Sequence, residues 1–416
     1  MTAPPASPAA AVPARPRLLT PRFVLVIVVG LSYFLSLGTL LPVVPLFVTG
    51  PLGGDAGAAG LAVGLFSVGA IILRPWMGRI SDRKGRKLLI VGGPLVVAVA
   101  VAAYHLVGDS YGVLLALRLL GGLGEAALFV GAGTMITDLA PEERRGEAIS
   151  YWSVAIYGGL AFGPILGEWA LGKDRFGNVW TLSASLALAA ALLGLLTRES
   201  LPAADREHTG DPVPLLHRAA LGPGTVLLLT MLGLAALFTI VPLYVSEIGM
   251  EDSGTVFLVY GCLVLAVRVL GARLPDRLGP MTAGTMATLA SAAGLVIVAA
   301  VPRPLGLYAG AVVFAVGMSL LFPAMMTLAL TGIPQRERGA VVGTVSSFFD
   351  ASQALGTPLV GVVAAHAGNR AAFVAGAGSG LAAFVLLRLG IDPRARQPVD
   401  HDAAKAACEV VEPEMP

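Results

Sequence analysis

The 416-residue chain is too apolar for a water-soluble domain, since hydrophobic residues make up 56% of it and charged residues only 13%. A soluble protein carries about 25% charged residues, and the mean hydropathy here is +0.81. The composition therefore predicts an integral membrane protein in a lipid bilayer, and the net charge of +2 gives no reason to expect a nucleic-acid partner.

The chain begins with a Pro/Ala-rich tail, residues 1–22, which we expect to be disordered and cytoplasmic. The apolar run that follows is longer than the core of a signal peptide. Apolar runs of about 20 residues, the length needed to cross a bilayer, then recur along the chain. Twelve helices are predicted near residues 23–48, 58–77, 88–107, 112–137, 147–170, 179–197, 224–246, 254–271, 281–301, 305–330, 340–366 and 370–390.

Two pairs of similar segments indicate that the chain is duplicated. Residues 79–85 and 273–279 both read Arg-x-x-Asp-Arg-x-Gly, and residues 141–146 resemble 334–339 at nearly the same offset. Repeated halves around a central site are typical of secondary transporters. The expected fold is an all-α membrane protein with twelve transmembrane helices in two pseudo-symmetric six-helix bundles. The bundles comprise residues 23–197 and 224–390, joined by a cytoplasmic linker (198–223) and followed by a cytoplasmic tail (391–416).

The distribution of Lys and Arg predicts the orientation. If both termini are cytoplasmic, 21 of the 28 basic residues lie in the tails and cytoplasmic loops, four lie in the opposite loops, and three lie in or at the edge of spans. Because cytoplasmic loops are enriched in basic residues, we expect both termini in the cytoplasm and a multi-pass protein of the cytoplasmic membrane.

Three motifs carry a resemblance to a known family. Residues 78–87 read Gly-x-x-x-Asp-Arg-x-Gly-Arg-Lys, residues 118–124 read Arg-x-x-x-Gly-x-Gly, and residues 159–167 read Gly-x-x-x-Gly-Pro-x-x-Gly. Together they resemble the major facilitator superfamily, and the third resembles the motif of its proton antiporters. That motif ends in two glycines, whereas this chain has Glu168 at the second of them.

The segment between helices 2 and 3 is interpreted as a gating latch, although a plain topology determinant is the alternative. Gly78 permits close helix approach, and the Asp82 carboxylate suits a helix N-terminus. The resemblance implies that the helix N-terminus contacted by Asp82 is that of helix 11, near Ala340. Arg79 or Arg83 is expected to pair with Asp138.

The helix 5 motif places its glycines on one helical face, with Pro164 removing one backbone hydrogen bond. Tight packing at Gly163 is one interpretation, and a bend that lets one half rock against the other is the second. We expect Gly163 and Pro164 to act in gating.

Charged groups inside the spans are the main functional candidates, because each costs at least about 2.5–3.5 kcal/mol at the bilayer centre. Glu125 and Arg118 lie two turns apart on helix 4, and Asp350 lies on helix 11 in a polar stripe with Gln353. We expect Arg118 to favour ionised Glu125, leaving Asp350 without a cation and therefore as the proton carrier. A purely structural charge network is the alternative, and Glu168 is expected at the outer mouth as an interfacial charge.

Aromatic residues within spans are weaker candidates for substrate contacts, because most such side chains only pack or anchor the helix. The candidates are Tyr33, Trp152, Tyr157, Tyr260 and Phe349, alongside Arg118, Glu125 and Gln353.

Three functions remain possible from the sequence. The first is proton-coupled export of a small organic compound, the second is proton-coupled uptake of a nutrient, and the third is a non-transporting receptor or scaffold. No phosphate-binding Gly-x-x-x-x-Gly-Lys loop occurs, so neither an enzyme nor an ATP-driven pump is expected. Two distant cysteines and five scattered histidines predict no metal site. We expect a monomer without cofactors.

Overall fold

A computed structural model describes residues 18–141, 144–200, 217–270, 278–333 and 338–390, apart from a few helical side chains that include Asp82. These residues form twelve α-helices and no strand, which confirms the predicted all-α class. The helices are α1 (Pro21–Thr49), α2 (Ala56–Lys84), α3 (Arg86–Ala102), α4 (Tyr111–Leu139), α5 (Arg145–Leu171), α6 (Phe176–Leu195), α7 (Arg218–Tyr244), α8 (Gly254–Leu270), α9 (Pro280–Ala300), α10 (Pro304–Leu330), α11 (Arg338–Ala367) and α12 (Asn369–Gly390).

Eleven of these helices are long and apolar enough to cross a membrane, and the described part of α8 is apolar but shorter. A bilayer core offers no water to backbone polar groups, so a spanning segment must satisfy its hydrogen bonds internally, as a helix does. Two short 3-10 turns, Ala103–Leu106 and Val245–Ile248, continue α3 and α7. The chain is therefore a multi-pass membrane protein.

The two halves repeat the same pattern of helix packing. In the first half α1 packs on α5 and α6, and α4 packs on α2 and α3; the equivalent helices of the second half pack in the same way. Small residues permit close crossings, with Gly93 against Gly124 between α3 and α4 and Gly294 against Gly310 between α9 and α10. Each half encloses its own hydrophobic core.

The halves meet mainly through α2 with α11 and α5 with α8. We call the end of the bundle where α1 begins and α12 ends the terminal end, and the opposite end the distal end. Near the distal end, Gly60 of α2 lies against the backbone of Thr357 in α11, and Gly64 lies against the side chains of Thr357 and Pro358. Contact between the halves therefore extends from the middle of the bundle to the distal end.

Helix α2 is longer than predicted and contains most of the segment expected to be a loop. It runs to Lys84, and α3 begins at Arg86, so only Gly85 separates the two helices. Gly85 has φ +99°, a backbone conformation that is unfavourable for residues other than glycine. The Glu199 carboxylate then accepts hydrogen bonds from the N–H groups of Arg86 (2.9 Å) and Lys87 (3.1 Å) at the start of α3.

Candidate functional site

A charged cluster joins the two halves in the middle of the bundle. Arg74 of α2 places Nη1 2.8 Å from Oδ2 of Asp350 in α11 and Nη2 3.2 Å from Oε2 of Glu125 in α4. Its guanidinium also lies 4.5 Å from the centre of the Phe129 ring. An isolated charge is costly away from water. The position of one cation between two carboxylates lowers the cost of burying all three groups.

This arrangement corrects the predicted pairing of the charged residues. Arg118 does not bind Glu125; it donates from Nε to the carbonyl of Ala62 (2.8 Å) and from Nη2 to that of Val63 (3.2 Å). Its guanidinium stacks 4.7 Å from the centre of the Phe66 ring. Arg118 therefore ties α4 to α2, and the expectation that Asp350 has no cationic partner is wrong.

A cavity of about 180 Å³ lies beside the charged cluster and is lined by both halves. Glu125, Arg118 and Asp350 reach its wall, as do Gln353 and Phe349. Most of the remaining wall is apolar, from Leu37, Leu40, Leu41, Val44, Val63, Phe66, Ala70, Ile156, Leu160, Leu234 and Phe238. A largely apolar pocket with a few polar groups suits a small organic ligand.

The aromatic candidates divide into two groups. Tyr157 and Tyr260 line the cavity, where they could contact a substrate. Tyr33 and Trp152 do not, because both are buried and pack edge-on against Phe34 inside the first half. Trp152 also fills the space beside Gly30, where a Cβ would collide with its ring. Tyr33 and Trp152 therefore do not line this cavity, and a substrate contact from either residue stays a prediction.

One ion pair of the predicted latch differs in the structure, and part of the latch lies outside the described residues. Asp138 pairs with Arg86 of α3 (Nε to Oδ2, 3.1 Å) and accepts a hydrogen bond from Ser200, not from Arg79 or Arg83, which are exposed. A Cβ built at Gly78 would meet no described atom within 4 Å, so close packing at Gly78 is not observed. The Asp82 and Ala340 side chains lie outside the described residues, so their contact stays a prediction.

The glycine face of α5 packs tightly on α1. A Cβ built at Gly163 would lie 2.5 Å from Cα of Gly38, and Gly159 and Gly167 face the α1 backbone at Phe34 and Thr39. Pro164 lies inside the continuous helix. The tight-packing interpretation thus describes the observed geometry, and a bending role for Pro164 remains a prediction.

Glu168 contacts the other half at the distal end, whereas the sequence predicted only a charge at the membrane interface. Its carboxylate accepts hydrogen bonds from the backbone N–H groups of Ser253 (2.8 Å) and Gly254 (2.6 Å) and from the Ser253 hydroxyl (2.6 Å). These donors form the N-terminus of α8, where unpaired N–H groups and the helix dipole favour an anion. The residue that departs from the antiporter motif therefore caps a helix of the opposite half.

Replacing Glu168 with Ala is expected to open the distal end more often, because hydrogen bonds to charged groups contribute about 1.5–3 kcal/mol each. In a variant lacking Cys262 and Cys408, a reporter cysteine at the buried cavity residue Val44 should react with maleimide about tenfold faster. Glu247→Ala is the control, since that carboxylate accepts from Asn369 within its own half. Unchanged labelling of the Glu168 variant would show that this contact does not hold the halves together.

Two cationic residues of the centre were not singled out from the sequence. Arg74 and Arg268 count in the sequence only as basic residues within spans. The pattern that identifies Glu125, a charge in an apolar run, could have identified both of them. Arg268 of α8 donates from Nη2 to the hydroxyl of Tyr157 in α5 (2.9 Å), which adds a polar contact between the halves to those of Arg74 and Glu168.

Comparisons with known proteins agree with this architecture. The family model of the Major Facilitator Superfamily matches residues 26–357, and again 287–410. An uncharacterized MFS-type transporter of Salmonella typhimurium is 28% identical over 372 residues, covering 86% of this chain and 93% of the relative.

Solved structures share the fold at lower sequence identity. The human organic anion transporter MFSD10 superposes with a TM-score of 0.69 at 20% identity, covering 88% of this chain and 100% of that one. The nucleoside transporter NupG superposes with a TM-score of 0.71 at 12% identity, covering 89% and 100%. With its duplicated twelve-helix bundle, central cavity and matching family model, this chain belongs to the major facilitator superfamily and is a membrane transporter, not an enzyme.

Proposed function

We propose that the protein is a proton-coupled exporter of a small organic compound that works by alternating access. It acts as a monomer without cofactors in the cytoplasmic membrane, with both termini in the cytoplasm. The observation that carries this proposal is the position of Arg74 between carboxylates of opposite halves, beside the cavity. The basic residues of the loops support the orientation.

Asp350 is the proposed proton carrier, for a different reason from the one expected. Glu125 belongs to the same half as Arg74, whereas Asp350 belongs to the other half. A proton on Asp350 would remove its ionic attraction to Arg74 in the other half, while Arg74 and Glu125 would remain paired within the first half. Protonation of one group would therefore loosen the contact that must change when the cavity changes sides, with Glu125 and Arg118 left to bind substrate or stabilise the empty site.

The cavity favours export over the alternatives. Uptake of a hydrophilic nutrient such as a sugar calls for a narrow polar cavity with paired hydrogen-bonding side chains, whereas this wall is mainly apolar. A non-transporting receptor would have no need of a cavity lined by both halves. The two solved neighbours carry different substrates by their names, an organic anion and a nucleoside, so their likeness selects no substrate class.

The test is a pH-dependent distance between the halves, which requires no known substrate. Spin labels at Leu88→Cys and Leu389→Cys, exposed positions at the terminal ends of α3 and α12, report that distance in a background without Cys262 and Cys408. We expect the distance distribution to shift with pH in the parent protein. Asp350→Asn should hold the low-pH distribution at every pH, because the amide mimics the neutral acid.

Glu125→Gln is the matched control and should keep the pH-dependent shift. If Glu125→Gln removes the shift and Asp350→Asn keeps it, the two carboxylates have reversed roles. If both variants behave like the parent, the coupling ion is carried by neither carboxylate and the proposed mechanism is wrong.

A further inference from the structure

The centre of the bundle contains more cationic than anionic side chains. Away from the two ends, the described residues include three guanidinium groups, those of Arg74, Arg118 and Arg268, and two carboxylates, those of Glu125 and Asp350. Both carboxylates are within 3.2 Å of Arg74. The centre therefore has one excess positive charge when both acids are ionised, and two when one acid is protonated.

Arg268 is a cation without a carboxylate partner among the described residues. Its Nη2 donates to the Tyr157 hydroxyl (2.9 Å), and its guanidinium stacks 4.3 Å from the centre of the same ring. Its Nε is buried and meets no described acceptor. Charges within membrane spans are costly and normally pair with an opposite charge or serve a ligand pathway. The charge of Arg268 must therefore be balanced by an anion other than the described carboxylates.

Tyr157 connects this cation to the cavity. Its side chain lines the cavity wall together with Tyr260. Because the Tyr157 oxygen accepts a hydrogen bond from Arg268, the hydroxyl hydrogen is directed to a different acceptor. No described residue provides one, so the cavity wall presents a hydroxyl donor polarised by a guanidinium behind it. Hydrogen bonds of this charge-assisted kind are about twice as strong as neutral ones.

We infer that the transported compound carries an acidic group, such as a carboxylate, which binds the Tyr157 hydroxyl and is neutralised by Arg268. This inference rests on the proposed function and adds the substrate class to it. The apolar wall from Leu37, Leu41 and Phe238 receives the carbon skeleton. The ligand is thus a monoanion with a hydrophobic body, and its charge balances the excess cation of the centre.

The test compares three probes that share one skeleton and differ in charge: 4-phenylbutyrate, 4-phenylbutanamide and 4-phenylbutylamine. Binding is measured in purified protein at one fixed pH by the rise in Tm and by titration. We expect the acid to bind at least about tenfold more tightly than the amide or the amine. Tyr157→Phe keeps the ring beneath Arg268 but removes the hydroxyl, and it should weaken acid binding about tenfold.

Variants of Arg268 separate its charge from its packing. Arg268→Gln should remove the preference for the acid over the amide, and Arg268→Lys should retain part of it, since lysine keeps the charge but not the planar stacking. Arg303→Gln, at an exposed residue of the distal end, should bind like the parent. Without ligand, Arg268→Met should have a higher Tm than the parent, because it removes an unbalanced charge and keeps an apolar stem of similar length.

The inference is overturned if the amide or the amine binds as tightly as the acid, or if none of the three binds up to its solubility. It is equally overturned if Arg268→Met lowers the Tm of the ligand-free protein, because Arg268 would then serve only to hold the helices together. Binding is measured without a pH gradient and with Asp350 intact. A failure of proton coupling therefore appears in the distance experiment and leaves the binding result unaffected.

Discussion

Arg74→Gln is expected to destabilise the protein more than any other single change of charge, by about 3–5 kcal/mol. The substitution leaves Glu125 and Asp350 near each other in the interior without the cation that both contact. Thermal unfolding of the purified variant should show a markedly lower Tm, and the yield of folded protein should fall with it.

Neutralising all three groups tests the reason for that loss. The combined variant Arg74→Gln, Glu125→Gln, Asp350→Asn should recover most of the stability, because a buried ion network is often worth no more than a neutral set of similar shape. Arg388→Gln, at an exposed residue near the end of α12, should change little. A combined variant as unstable as Arg74→Gln would mean that the arginine acts through its packing on Phe129 and not through charge.

Gly163→Val is expected to cost about 3 kcal/mol or more, because overpacking is severe where the obstructing atoms cannot move. A Cβ at this position would lie 2.5 Å from Cα of Gly38 and 2.9 Å from the carbonyl oxygen of Leu35, both of them backbone atoms of α1. The valine methyl groups would force α1 and α5 apart. A lower Tm and loss of folded protein in the membrane fraction would report this separation.

Gly158→Ala is the matched control on the same helix. Its new Cβ would meet only the end of the Leu31 side chain at 3.4 Å, an ordinary contact. Alanine also favours a helix over glycine by about 1 kcal/mol, so this variant should be as stable as the parent or slightly more stable. If both variants behave alike, the α1–α5 crossing is looser in the membrane than the geometry indicates.

The membrane-spanning architecture was predictable because it depends on properties that each segment carries by itself. An apolar run of about 20 residues must form a helix in lipid, whatever its neighbours are. The duplicated motifs then indicated two halves. Local composition does not predict the structure of residues 79–85, where the charged side chains favour a loop. In the structure α2 continues to Lys84 and turns only at Gly85.

Several residues of the site were predictable from the sequence, but the contacts between them were not. A charge within an apolar span marked Glu125 and Asp350, and the polar stripe on α11 marked Gln353; all three line the cavity. Tyr33 and Trp152 could not be told apart from Tyr157 and Tyr260, because every one of them is an aromatic residue in a span. Only the rotation of each helix about its axis places a side chain toward the cavity or toward the core of its own half.

The number of spans, the duplication and the costly charges in the interior can all be read from the amino-acid sequence, because each follows from local composition and from the lipid that surrounds the chain. The partners of those charges depend on the packing of the helices. Arg74 reaches Glu125 and Asp350, Arg118 reaches carbonyl groups of α2, and Arg268 reaches Tyr157 across the two halves. Ionic contacts form within about 4 Å, so the partner of a buried charge depends on how helices distant in sequence are packed side by side.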